Sequence, residues 1–199
     1  MSNQGLYYRT QLETKVVLLA EQADADIDEH LFANLKRSVT GKTMENGIVI
    51  DVKRILSYDY GVIDPSNFMT SITYNVKYEC SVCSPSKDLE IICNVDSIVK
   101  GFIFAKNGPI VAAIQVSNID SNNFTVSDNN VVVKKTGHIV EKGDHLKVSI
   151  INVKSNMGEK HITTICKLIA FAKKSEIAQF ENEQKMVIGE SNDDAKDFF

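Results

Sequence analysis

Between Tyr8 and Leu18 the even positions are Tyr8, Thr10, Leu12, Thr14, Val16 and Leu18, while Arg9, Gln11, Glu13 and Lys15 fill the odd ones. That period of two is the period of a half-buried strand. An acidic stretch with Asp24, Asp26, Asp28 and Glu29 follows, and then Ile27, Leu31 and Leu35 recur every fourth residue. This is the apolar stripe and acidic first turn of a short amphipathic helix, the one convincing helical pattern in the chain. Gly47 to Val52 is a β-branched run that suits a sheet strand. After Gly61-Val62-Ile63, the segment Asp64-Pro65-Ser66-Asn67 has the residues of a turn. The strongest alternation comes next: Ile72, Tyr74, Val76, Tyr78, Cys80 and Val82 face one way, and Ser71, Thr73, Asn75, Lys77, Glu79 and Ser81 the other.

Ser84-Pro85-Ser86-Lys87-Asp88 breaks the pattern, and beyond it the helical period disappears. The apolar runs predict strands at Leu89 to Val95, Ile98 to Ala105, Ile110 to Val116, Val131 to Lys134, Leu146 to Val153 and Ile162 to Phe171. They are separated by Asn107-Gly108-Pro109, the polar stretch 118–130, Glu141-Lys142-Gly143-Asp144 and Asn156-Met157-Gly158. Five or six short strands predict a small barrel. The five-stranded OB-fold fits this length, and its usual ligands are oligonucleotides and oligosaccharides. The pattern divides the chain into domains 1–83 and 84–175, followed by an acidic, aperiodic stretch 176–199 read as a disordered tail that begins after Phe180.

Charge sharpens this division. Residues 1–83 carry 8 Lys+Arg against 11 Asp+Glu (-3), residues 84–175 carry 12 against 8 (+4), and residues 176–199 carry 2 against 7 (-5). One basic domain in an acidic whole fits a local nucleic-acid contact, although a chance excess of surface lysine gives the same count. The longest apolar run, Val16 to Ala20, is far short of a membrane-spanning helix, for which about 20 residues are needed. The start Met1-Ser2-Asn3-Gln4-Gly5 lacks the features of a signal peptide, so an intracellular protein, or one packaged inside a particle made there, is expected. The four cysteines are then expected to be thiols.

Three stretches in order resemble the larger stalk subunit of archaeal and eukaryotic-type RNA polymerases. The first is Val39-Thr40-Gly41-Lys42, then Gly61-Val62-Ile63-Asp64-Pro65 and Tyr74-Asn75-Val76-Lys77-Tyr78. The second is Ser84-Pro85-Ser86-Lys87 with Lys100-Gly101-Phe102-Ile103-Phe104 and Asn107-Gly108-Pro109-Ile110. The third is Ile139-Val140-Glu141-Lys142-Gly143-Asp144 followed by alternating Leu146, Val148 and Ile150. The resemblance implies an α+β, mostly β fold: an RNP-like tip domain with one helix against an antiparallel sheet, then an S1-type OB-fold barrel. It also implies a non-catalytic DNA-directed RNA polymerase subunit, docked on the core through Gly61, Val62, Ile63, Asp64, Pro65, Ser66 and Asn67. Its barrel would contact nascent single-stranded RNA, and a smaller helical stalk subunit would pack beside it. The location would be that of the polymerase: the nucleus, or a viral factory and virion if the AT-rich genome that the Asn, Ile and Lys richness and few prolines suit is that of a large DNA virus. Three departures mark a divergent member: Asp88 stands where the family has glycine, the 66–71 loop is longer, and the acidic tail is extra.

For RNA, an OB surface needs cations for phosphates and flat side chains for bases. Lys100, Lys106, Lys134, Lys135, His138, Lys147 and Lys154 are the candidates, each also readable as a solvated surface residue. Phe102 and Phe104 point the same way, and a bulky matched pair in a small barrel is expected to fill its core. Binding would then rest on phosphates and be weak, salt-sensitive and nearly sequence-independent. Cys80-Ser81-Val82-Cys83 is a lone C-x-x-C whose second pair is missing, and Cys80 lies in phase with a buried face, so core thiols are expected rather than zinc. Gly41-Lys42-Thr43 imitates the end of a P-loop without its first glycine. His30, His138, His145 and His161 are scattered, and no nucleophile elbow is present. No metal, cofactor or catalytic set is expected. The competing expectations are a free-standing S1-type RNA-binding protein of translation or RNA decay and, less well supported, an enzyme acting on RNA.

Overall fold

The alternation at the start of the chain forms β1 (Tyr7–Leu19), which pairs antiparallel with β5 (Ser71–Cys83). In this computed structural model the described residues are 5–63, 71–99, 101–127, 130–134 and 137–189, and they fall into two units, residues 1–84 and 85–199. The fold is mostly β, 57% strand, with two helices and a closed five-stranded barrel.

In unit 1, β5 also pairs with β3 (Gly47–Tyr58), whose start is covered by β2 (Thr43–Met44); β4 (Val62–Ile63) pairs with the beginning of β5. Helix α1 (Ile27–Val39) packs its Leu31, Leu35 and Val39 stripe on the sheet, burying Val16, Leu18, Val76 and Tyr78. Asp28 and Glu29 in its first turn and Lys36 and Arg37 in its last complement the helix dipole. Lys36 also reaches Asp51, a carboxylate 1% exposed, at 3.1 Å, and Lys53 reaches the same group at 3.4 Å. The pair ties α1 to β3, and removing either cation would leave a buried charge short of a partner. Gly47 is needed where it stands. At φ +123° its backbone lies against the end of β5, and a Cβ there would sit 2.3 Å from the Cys83 carbonyl oxygen.

In unit 2, β6 (Glu90–Val99), β7 (Phe102–Asn107), β8 (Ile110–Ile119), β11 (His145–Lys154) and β12 (Ile162–Phe171) close a barrel in the order β6-β7-β8-β12-β11, and β11 returns to β6. Among the described strands only β8 and β12 run parallel. This is the 1-2-3-5-4-1 circuit of an OB-type barrel. Its interior is filled by Ile103, Ala105, Ile114, Leu146, Ile150 and Leu168. Asp88 enters the barrel with φ 64°, the one non-glycine residue with positive φ among those described, and donates its N–H to the Ile150 carbonyl at 2.8 Å. The left-handed conformation accounts for glycine at this position in the resembled family, and aspartate is one of the side chains that tolerate it.

Four expectations are corrected. Ile98 and Val99 belong to the end of β6, not to the next strand, because a register shift at Val95/Ser97 carries β6 onward to pair with Ile103 and Phe102. The polar stretch 118–130 contains β9 (Phe124–Ser127), which forms a hairpin with β10 (Asn130–Val133) around buried Phe124. A second helix, α2 (Lys174–Gly189), occupies the first part of the segment read as tail. Glu176 is hydrogen bonded to the Lys173 N–H and reaches Lys147, the Phe180 ring meets His145 edge-on at 5.5 Å, and Gln184 donates to Asn107. These contacts seat α2 on the β6–β11 side of the barrel. Residues 190–199 of that segment lie outside those described. The fourth correction, at Phe102 and Phe104, concerns the candidate site.

Candidate nucleic-acid interface

Strand β7 alternates in the sense opposite to the one expected. Ile103 and Ala105 enter the barrel, and Phe102 and Phe104 face outward. Ile103 supplies the branched side chain that fits the narrow interior, which leaves the two rings on the surface. They stack on each other, centroids 6.1 Å apart and planes 21° apart, with Phe102 41% exposed.

The register fixes their surroundings. One row across the strands runs Ser97, Phe104, Ala113, Ile165, Asn152, and the next contains Val99, Phe102 and Gln115. Ala113 leaves the Phe104 face unobstructed, while exposed Val99 and Ile165 extend the apolar area on either side. The outermost row runs Asn94, Lys106, Val111, Thr163, Lys154, so two of the sequence candidates stand in one line. Three strand spacings separate them, roughly 14 Å along the surface.

The candidate cations differ in what they meet. Lys106 pairs with Asp96 at 2.8 Å, and this contact holds the Asp96 carboxyl below its ordinary range. Lys147 lies between Glu90 at 2.9 Å and Glu176 at 3.3 Å, and its pKa is raised by those two hydrogen bonds. It serves the seating of α2, so it is not an open phosphate contact. Lys134 donates to the Ser121 carbonyl at 2.6 Å, and His138 meets Asp144 at 3.0 Å and the edge of Phe171. Both therefore brace the β9–β10 excursion. Lys100 and Lys135 lie outside the described residues. Lys154 is exposed, and Lys160 and Lys167, which sequence reasoning passed over, are exposed as well. None of these three pairs with a carboxylate among the described residues. Lys167 follows Thr163 and Ile165 on the outward side of β12, a parity signal that was available in the sequence.

In unit 1, Val62 and Ile63 are well exposed, and Tyr60 is 97% exposed. Val62 continues across Thr73 to Val17, itself half in water, with Leu19 beyond it, so the apolar surface spans β4 and the end of β1. Gly61 has an internal reason to be glycine: a Cβ would stand 2.3 Å from Ile72 Cγ2 and 2.6 Å from the Tyr74 ring. Asp64, Pro65, Ser66 and Asn67 lie outside the described residues.

The four cysteines are buried free thiols. Burial pushes the Cys80 thiol up to about 11 and the Cys83 thiol up to about 12.

No family model matches the chain. A protein of Acanthamoeba polyphaga mimivirus named "Putative DNA-directed RNA polymerase subunit L376" is 47% identical over 198 residues, spanning 100% of both chains.

Proposed function

Because the chain belongs to the viral DNA-directed RNA polymerase subunit family of its mimivirus relative, we propose that it is the stalk subunit of such a polymerase and works without catalysing a reaction itself. Other polymerase subunits are its partners. Unit 1, as the RNP-like tip, docks on the core through the segment Gly61 to Asn67, of which Val62 and Ile63 are exposed, and a smaller helical stalk subunit flanks it. Unit 2, as the S1-type domain, meets single-stranded RNA leaving the enzyme, wherever the viral polymerase transcribes.

The observation that carries the RNA reading is the outward, mutually stacked pair Phe102 and Phe104 beside Ala113 on the barrel. Aromatic rings on an OB sheet face stack bases of any identity, and cations at its margin meet phosphates. With few unpaired cations among the described residues of this face, binding is expected to be modest and weakly selective. Such a contact guides RNA; it does not cleave or join it.

Two measurements test the proposal. Tagged protein is purified from infected cells at moderate salt, as wild type and with residues 61–65 replaced. Large polymerase subunits should accompany the wild type and be lost from the variant. Fluorescence anisotropy with labelled oligouridylate then compares wild type with the Phe102→Ala, Phe104→Ala double variant. Polymerase recovery with no RNA binding by either protein would leave a docking subunit only; RNA binding with no polymerase would point to a free-standing RNA-binding protein.

A further inference from the structure

The two edges of the sheet in unit 1 are built differently. Against β5, β3 is interrupted by register shifts at Val49/Asp51, Val52/Arg54 and Ile55/Ser57, and β2 covers its start. Bulges and short covering strands make an edge unfit for further pairing. By contrast, β1 runs 13 residues against β5 without a shift, from Tyr7 opposite Cys83 to Leu19 opposite Ser71. It contains no proline, and no described strand pairs with its outer side.

The hydrogen bonds show which groups line that side. Along an antiparallel strand the N–H and C=O of one residue point the same way, and successive residues alternate. Leu19 donates its N–H to Gln22 Oε1 at 3.1 Å, and the Val17 carbonyl accepts from Asn34 Nδ2 at 3.2 Å. Asn75, opposite Lys15, donates its N–H to Asp59 Oδ1 and accepts the Asp59 N–H at its carbonyl, on the side away from β1. The odd residues of β1 therefore direct their N–H and C=O away from β5. Gln22 and Asn34, themselves 3.3 Å apart, close the edge at Val17 and Leu19. For Arg9, Gln11, Glu13 and Lys15, no described group closes it. The core side of the same stretch is also incompletely covered: Val16 and Leu18 are buried, whereas Tyr8, Thr10, Leu12 and Thr14 are half-covered.

We infer that the Arg9 to Lys15 edge of β1 receives an extended segment of another polymerase polypeptide as an added strand. Main-chain bonds supply such pairing, and side chains select the partner. Arg9, Glu13 and Lys15 call for a segment with an acidic residue opposite each cation and a basic one opposite Glu13. A second copy of β1 meets this poorly. Paired about Leu12 it sets Arg9 against Lys15, and paired about Gln11 it leaves Lys15 against Tyr7. The inference rests on polymerase membership and is independent of the stalk reading.

Hydrogen exchange on the isolated chain and on the polymerase purified through it supplies the test. In the isolated chain the amides of Arg9, Gln11, Glu13 and Lys15 should exchange quickly, and those of Thr10, Leu12 and Thr14, bonded to β5, slowly. In the assembled enzyme the first set should slow by about tenfold or more, the factor one net hydrogen bond supplies. Gln11→Pro and Glu13→Pro remove outward donors only, a place where an edge strand tolerates proline. They should keep the slow exchange of Thr10 and Thr14 yet displace the added segment, whereas Leu12→Pro should disrupt the sheet itself. If polymerase is recovered but the odd amides stay fast and the proline variants assemble normally, the edge is unoccupied and the inference is wrong. Slow odd amides in the isolated chain, together with a doubled mass, would assign the edge to a second copy instead. If wild type recovers no polymerase, no polymerase polypeptide supplies the strand and the inference fails.

Discussion

Phe102 exposes a large apolar ring that stacks on the half-buried ring of Phe104 outside the barrel, so trimming it removes little from the core. Its loss should be felt in binding instead. Phe102→Ala is expected to weaken oligouridylate binding by roughly fivefold to a hundredfold, the equivalent of about 1 to 3 kcal/mol for one stacked base. The melting temperature should scarcely move. Anisotropy titration and calorimetry on the same sample check this, and unchanged affinity would remove the stacking role. The cysteines behave oppositely, as core residues without exposed chemistry. With Cys80 at about 11 and Cys83 at about 12, the thiolate at pH 8 is roughly a thousandth or less of each. Native protein should therefore react very slowly with a disulfide reagent at pH 8 and promptly in guanidinium. Rapid labelling of the native chain would contradict the burial of both groups.

Among the elements, α2 is held by a small polar set, and its attachment should depend on pH. The Glu176 carboxyl is held below its ordinary range, first by the Lys173 backbone N–H and then by Lys147. A depressed carboxylate contributes stability that is fully present above its unfolded pKa and is lost as pH falls through the folded one. The seating of α2 should thus be constant near neutrality and loosen in acid, from the ordinary glutamate range downward. Glu176→Gln should bring part of that loosening to pH 7, seen as faster exchange of α2 amides with the barrel strands unchanged. Protection of α2 unchanged from wild type at pH 7, both in the variant and at pH 4, would show that the Phe180 and Gln184 contacts suffice. The apolar spacing Ile177, Phe180 was present in the sequence, but the surrounding glutamates made the stretch read as solvated tail. What outweighed them was a non-local partner, His145 on β11.

At the scale of the molecule, the net charge of -4 opposes RNA and only the local face favours it. Cations already bound to carboxylates, such as Lys106 and Lys147, release few counterions when RNA arrives. The unpaired Lys154, Lys160 and Lys167 set the expected scale. The slope of log affinity against log salt should be about -2, since each single-strand phosphate contact contributes about -0.7. Titrations from low to moderate salt measure it. A slope several times steeper would mean a different, more basic surface.

What the sequence determined by itself was whatever local periodicity controls. Alternation placed β1 and β5, the four-residue recurrence placed α1, and turn residues marked the strands that close as an OB-type barrel. The order of motifs also pointed to an RNA polymerase subunit. Tertiary structure decided which parity of β7 turns outward, which lysines are neutralised, and that α2 forms against the barrel. Alternation specifies that two faces differ, but the narrow interior of a closed barrel chooses between them, and it takes Ile103 and leaves Phe102 and Phe104 outside. A lysine reads the same in sequence whether it faces water or a carboxylate. Only the pairing of distant strands brings Asp96 to Lys106, or Glu90 and Glu176 to Lys147.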